Sequence, residues 1–312
     1  MKKLTQVGVN RAKDYLFSQA RPLEKALFEL EFGEGSIDDV LTQLAAFQNS
    51  DGGFGRALEP DMRTPSSSAL CTEIGLRMLT ELNVPSAHPM VKSAVQYVLA
   101  TLNPDTQVWR VVPWDANDYP HAPWWHEEND SVARAFDNFR LTPRAGILGA
   151  LWIYANLTPA GWLDQITEET VKAAEQTSNT EFGSGGDAFV YAQRLAEAPV
   201  LPDSYKSRLK SRLREAVDAV VTRDPAKWAS YCTPPLKIAP SPQSLTADIL
   251  AADVQVHLDY LVEHQSPVGN WEPNWSWFGS YPEAWDQAKL EWQGVLTMEA
   301  LLSLRAYRRM ER

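Results

Sequence analysis

Three proline-punctuated stretches concentrate the side chains suited to moving protons or seating a ligand. The first is Arg56-Ala57-Leu58-Glu59-Pro60-Asp61-Met62-Arg63-Thr64-Pro65-Ser66-Ser67-Ser68, which sets Glu59, Asp61 and Arg63 just before a helix start. Carboxyls so close to a guanidinium suit a catalytic acid with a partner that orients it or binds an anion. The same residues also fit an ion pair beside a helix capped by Ser66. The second runs from Trp109 to Asp130 and holds Trp114, Asp115, His121, Trp124, Trp125, His126, Glu127 and Glu128. Connections longer than about 15 residues are commonly functional or disordered, and so many aromatics argue against disorder. This stretch is expected to line a ligand cavity through Trp109, Trp114, Asp115, Trp124, Trp125, His126 and Glu127. Its His-x-x-x-x-His-Glu-Glu spacing is a poor metal-ligand pattern, so no metal and no cofactor are expected. The third, Trp271 to Trp285, offers Trp275 and Trp277 as a stacking surface or as loop residues bedded on the core. Tyr231, in Tyr231-Cys232-Thr233-Pro234-Pro235-Leu236-Lys237, is a fourth, weaker candidate.

The elements that must carry these stretches repeat along the chain. Five times an apolar helical segment runs through a polar end and a short turn into a large aromatic. The aromatics are Phe54, Trp109, Phe182, Trp228 and Trp271, spaced widely enough for two helices and two loops per unit. Charged outer helices are predicted at about 8–19, 36–48, 88–102, 160–177, 202–223 and 246–265. Inner helices rich in Ala, Gly, Leu and Met are predicted at about 22–32, 66–82, 143–157, 185–197 and 287–309. Prolines at 234, 235, 240 and 242 forbid a regular inner helix between Trp228 and Thr246. The expectation is an all-α protein, one domain over 1–312, built as an (α/α) toroid of five or six helical hairpins. A long Trp/Pro-rich insertion at 110–140 would sit at the cavity mouth. A linear solenoid of the same repeats is the alternative.

Composition narrows the function. The 312 residues include 29 Lys+Arg and 40 Asp+Glu, a net charge of −11. Nucleic acids and anionic membranes attract the opposite balance. Two cysteines, Cys71 and Cys232, exclude a disulfide scaffold and multi-Cys zinc motifs. No signal peptide or integral membrane segment is visible, which points to a cytoplasmic protein.

Gln265-Ser266-Pro267-Val268-Gly269-Asn270-Trp271 and Gln48-Asn49-Ser50-Asp51-Gly52-Gly53-Phe54 resemble the Gln-Trp repeat motif of squalene–hopene cyclases and related prenyltransferases. The resemblance implies an α/α toroid in which the Gln and the aromatic tie one outer helix end to the next helix start. It implies a terpenoid-cyclase-like or prenyltransferase-like protein with an aromatic cavity for an isoprenoid or other hydrophobic substrate. The family's Asp-x-Asp-Asp and Asp-Asp-x-x-Asp runs are missing here; Asp38-Asp39-Val40-Leu41-Thr42 fails the second. Asp61 or Glu59 is then the first acid to test, with Arg63 beside it. A carbohydrate-active enzyme on the same fold, pairing Glu59 or Asp61 with Asp115 or Glu127, is the second reading. A binding or scaffold protein without chemistry is the third. The expected partner is a small hydrophobic or carbohydrate ligand and not a nucleic acid; nothing in the pattern sets the oligomeric state.

Overall fold

The computed structural model describes residues 1–311, and these are helical, with isolated β-bridges and no strand. In chain order the helices are α1 Gln6–Gln19, α2 Pro22–Phe32, α3 Ile37–Leu44, α4 Ala69–Glu81, α5 Pro89–Thr101, α6 Ser131–Ala135 and α7 Arg144–Ile153. There follow α8 Trp162–Gln176, α9 Asn179–Gly183, α10 Asp187–Glu197, α11 Asp203–Val220, α12 Pro235–Ile238, α13 Ala251–Glu263 and α14 Pro282–Ala306. None is long and apolar enough to cross a membrane. The chain divides into two compact units. One is Phe47–Val220; the other joins Met1–Ala46 to the chain from Val221 onward.

In the continuous unit, α4, α7 and α10 pack side by side as one layer, and α5, α8 and α11 each back one of them. Sequence explains the layering. From Arg144 to Leu151 every residue of α7 is buried. Gly146 leaves room for its neighbours: a Cβ there would lie 2.5 Å from Glu73 Oε1 and 2.8 Å from the Tyr191 ring. Glu73 is buried and accepts from Arg194 Nη1 at 2.9 Å, which links α4 to α10. On the charged outer side Arg208 joins α11 to α8 through Glu168 and Glu175, both at 2.7 Å.

In the other unit α14 packs on α1 and α2, and α12 on α13. Tyr15 donates to Gln293 Oε1 at 2.6 Å across α1 and α14. The segment at Leu4 pairs with the one at Arg309 and Glu311 here. Leu4 N donates to Arg309 O at 2.8 Å, and Glu311 N to Leu4 O at 2.9 Å. Prolines account for two differences from the sequence reading. Pro282 takes the first position of α14, which accepts a residue without an N–H. Trp285 is therefore helical rather than part of a loop. Pro235 likewise opens a single turn, α12, inside the stretch expected to hold no regular helix.

Each unit contains one Gln-led turn, and the two share their hydrogen bonds. Gln48 Nε2 donates to Gly52 O at 2.9 Å and to Met90 O, in the first turn of α5, at 3.0 Å. Gln265 Nε2 donates to Gly269 O at 2.9 Å and to Gly8 O, in the first turn of α1, at 2.8 Å. Phe54 N donates to Thr72 Oγ1 at 3.0 Å, and Trp271 N to Thr297 Oγ1 at 3.2 Å. Gly52 and Gly269 have φ of +91° and +108°, and a Cβ on either would come within 2.3 Å of a backbone carbonyl. Only glycine fits such a position. The aromatic that ends each turn is buried.

Candidate functional site

Two loops of the continuous unit run together ahead of α4 and α7. Arg63 N donates to Pro120 O at 3.0 Å and Ala122 N to Asp61 O at 2.8 Å, which sets Met62 opposite His121 in an antiparallel bridge. Asp115 fastens the same seam by accepting from Thr64 Oγ1 at 3.1 Å and from Ser66 Oγ at 2.7 Å. Ser66 is therefore not the cap of α4. Ser68 is, its Oγ accepting from Cys71 N at 3.0 Å. With both Asp115 oxygens engaged, that residue holds loops together.

Glu59 and Asp61 are both buried in this seam, at 7% and 2% exposure. Burial pushes the Glu59 carboxyl well above the usual carboxylate range, and the nearby Asp61 charge pushes it further. The Trp125 indole, the backbone at Asp61 and the Arg63 charge pull weakly the other way. Trp125 is buried and stacks on Phe136, with centroids 4.9 Å apart and planes 20° from parallel. Its Nε1 faces the buried Glu59 carboxyl and is the hydrogen-bonding group that favours the charged form against burial. Chemically, this is a buried carboxyl beside a second carboxyl, an arrangement that favours the protonated form and that proteins use to hold a proton donor.

The rest of the insertion frames that acid. His121 Nδ1 lies 2.6 Å from Tyr119 O, and its Nε2 lies 3.1 Å from His126 Nδ1. A carbonyl only accepts, so the proton sits on His121 Nδ1. In the neutral pair His126 Nδ1 then donates to His121 Nε2. Burial holds His121 below the ordinary histidine range and so favours that neutral form. Arg110 stacks on the exposed Trp114 at 3.8 Å and reaches Glu127 at 3.8 Å. Asn117 brackets the Glu127 backbone, donating to its O at 2.7 Å and accepting from its N at 3.0 Å. Trp124 is half-buried and His126 exposed. Among the described residues no group of three or more His, Cys, Asp or Glu is placed to hold a metal ion.

One residue here escaped the sequence reading. Asp137, Asn138 and Phe139 have φ of +50°, +51° and +61°, three successive left-handed residues without a glycine. Runs of that kind are strained and concentrate at functional places. They turn Asp137 inward. Its Oδ2 accepts from Leu141 N at 2.8 Å while Oδ1 is enclosed and unpartnered. Burial pushes this carboxyl up to about 6. Phe136, the ring under Trp125, immediately precedes it. The Asp137-Asn138 pair, both residue types that tolerate left-handed backbone, was the available signal.

The remaining candidates lie elsewhere. Trp109 is fully buried and donates from Nε1 to Val98 O at 2.7 Å, a packing position at the end of α5. Tyr231, Trp275 and Trp277 belong to the other unit. Trp277 is fully buried against Trp285, 5.8 Å away. Trp275 meets Trp292 edge to face at 5.1 Å and Tyr231 at 6.4 Å. The loops thus bring together Glu59, Asp61, Arg63, Asp115 and Trp125. Compared with protein-family models, curated proteins and solved structures, the chain matches none.

Proposed function

We propose that this is a terpenoid-cyclase-like or prenyltransferase-like protein that takes an isoprenoid or similar hydrophobic molecule and acts on it by acid catalysis. Glu59 is the proton donor. Its burial, and the position of Asp61 next to it, support this reading: a carboxyl kept neutral by its surroundings is a strong acid toward a bound substrate. In the reaction the Glu59 O–H bond breaks and a bond from that hydrogen to the substrate forms, leaving a carboxylate and a cationic substrate. Aromatic faces stabilise such cations, and Trp125 supplies one beside the acid. Loss of a proton from the intermediate restores the acid. Arg63 moderates the combined charge of the two carboxyls.

The ring arrangement belongs to the same reading. Layered helices in the continuous unit, together with the same Gln-led turn in each unit, support an (α/α) toroid of helical hairpins.

The test is incubation in deuterium oxide with linear polyprenyl alkenes and polyprenyl diphosphates. The expected product carries one deuterium, and Glu59→Gln lowers its formation at least about a hundredfold, the usual weight of a positioned acid. Asp61→Asn lowers it less. Full turnover in Glu59→Gln overturns the assignment. Cleavage of oligosaccharides in its place establishes the carbohydrate-active alternative.

A further inference from the structure

Glu59 and Trp125 are both buried, so an acid at this place meets a ligand only when something moves. The Glu59 side is fixed: Arg63 and Ala122 tie the two loops through backbone hydrogen bonds, and Asp115 ties them again through Thr64 and Ser66. The Trp125 side is held differently. Trp125 turns its Nε1 to the Glu59 carboxyl and its ring face to Phe136. Phe136 belongs to residues 129–139, which run through α6 and the turn after it. Among the described residues, no hydrogen bond from this stretch reaches beyond residues 126–142. At one end Ser131 donates to His126 O at 3.0 Å, and at the other Asp137 accepts from Leu141 N at 2.8 Å. Its grip on the rest of the unit is apolar, through the Phe136 ring on Trp125 and the buried side chains of Val132 and Phe139.

Both ends of the stretch pass through the left-handed region. Asn129 and Asp130 have φ of +53° and +60°, and Asp137, Asn138 and Phe139 do the same at the far end. None is a glycine, and for a phenylalanine this backbone is an outlier. Hinges are a few such residues at the end of an element that absorb a change of φ and ψ. We infer that residues 129–139 form a strap over the acid, hinged at its two left-handed ends, which lifts Phe136 off Trp125 to open the way to Glu59. This rests on the reading of Glu59 as the acid that meets the ligand, and it names how the ligand enters. Phe136 is the latch. Asp137, at the hinge, couples opening to pH. Closed, burial holds its carboxyl up at about 6; freed, it returns to about 4. The closed strap therefore binds that proton more tightly, so acid favours closure and opening grows as pH rises through 6. Arg140 and Arg144 are the charges that face Asp137, and guanidinium groups keep their charge across this range.

The experiment reads hydrogen exchange of the full chain by mass spectrometry, corrected for intrinsic rates. Beside it runs labelling of Glu59 by dicyclohexylcarbodiimide, an apolar reagent that adds to protonated carboxyls. In the wild type the strap should exchange at least about a hundredfold faster than α7, as a local opening does. Phe136→Ala should speed strap exchange and Glu59 labelling together by about tenfold, the worth of an aromatic pair, and leave α7 unchanged. Strap protection should fall about tenfold or more between about pH 4.5 and 7.5, and Asp137→Asn should remove that slope. A strap that exchanges at the rate of α7 overturns the inference, since it then opens only when the unit unfolds. Faster strap exchange in Phe136→Ala with no change at Glu59 also overturns it, because the strap then covers something else. Should Phe136→Ala not fold, Phe136→Leu carries the same comparison. Neither readout uses substrate. Failure of the strap therefore leaves the acid reading standing, and full turnover in Glu59→Gln overturns that reading whatever the strap does.

Discussion

The tripeptides Glu59-Pro60-Asp61 and Glu272-Pro273-Asn274 follow the same kind of turn, yet they end in opposite situations. Glu59 is buried, and its carboxyl is pushed well up by burial. Glu272 is exposed and pairs with Lys289 at 3.1 Å. Asp61 is buried in the seam, whereas Asn274 spends its amide on Trp228 O at 3.1 Å and Ser230 O at 2.8 Å. The turn supplies a fixed point, and what docks on the following loop decides whether a glutamate becomes an acid or a surface charge. The 110–140 insertion is what docks on the first. Side chains of one type thus acquire different chemistry from their surroundings alone.

The largest effect should come from the aromatics that end the two turns. Phe54→Ala and Trp271→Ala each remove a buried ring and should cost about 3–5 kcal/mol in denaturant melts. A cost below about 1 kcal/mol in either would show that the two turns are not equivalent. Smaller is the contrast between the acids. Because the folded-state pKa of Glu59 lies above its unfolded value, its contribution falls as pH rises through the ordinary carboxylate range and beyond. Glu59→Gln should therefore flatten the pH dependence of stability and be the more stable variant near neutrality. Glu272→Gln should stay within about 0.5 kcal/mol of wild type throughout. Matching pH profiles for the two variants would erase the difference between the loops. Also below the aromatics is the clamp itself. Gln48→Ala loses two hydrogen bonds and Gln265→Ala three, the third from Arg11 Nη2 to Oε1 at 3.3 Å, and each should cost about 1–2 kcal/mol. Thermal denaturation of the pair would show whether the two clamps weigh the same.

Helical periodicity carried most of the fold. The α1 helix was expected over 8–19 and spans 6–19; α10 was expected over 185–197 and spans 187–197. Spacing also revealed the Gln-led turns, because their geometry is local and depends on glycine. Of the site, Glu59 and Asp61 stood out as acids ahead of a helix start, and Trp125 as an unusual loop aromatic. That these residues meet was not legible. It depends on Asp61 and Arg63 bonding to residues about sixty positions away, which no periodicity encodes. The same limit hid Asp137, whose burial follows from backbone strain and from Phe136 stacking on Trp125. It also hid that Trp109 is fully buried and bonds to Val98 O at the end of α5.

The pairing of Leu4 with Arg309 and Glu311 bears on how this molecule is born. A ribosome releases the chain from its first residue onward. Everything between Phe47 and Val220 is continuous, so that unit, with the acid seam inside it, has all its parts once Val220 has emerged. Helices α1 to α3 belong to a unit whose other half follows Val220, and they must wait until α14 has been made. Until then their apolar faces have no final partner, and they are the part of the nascent chain that a chaperone would have most reason to cover.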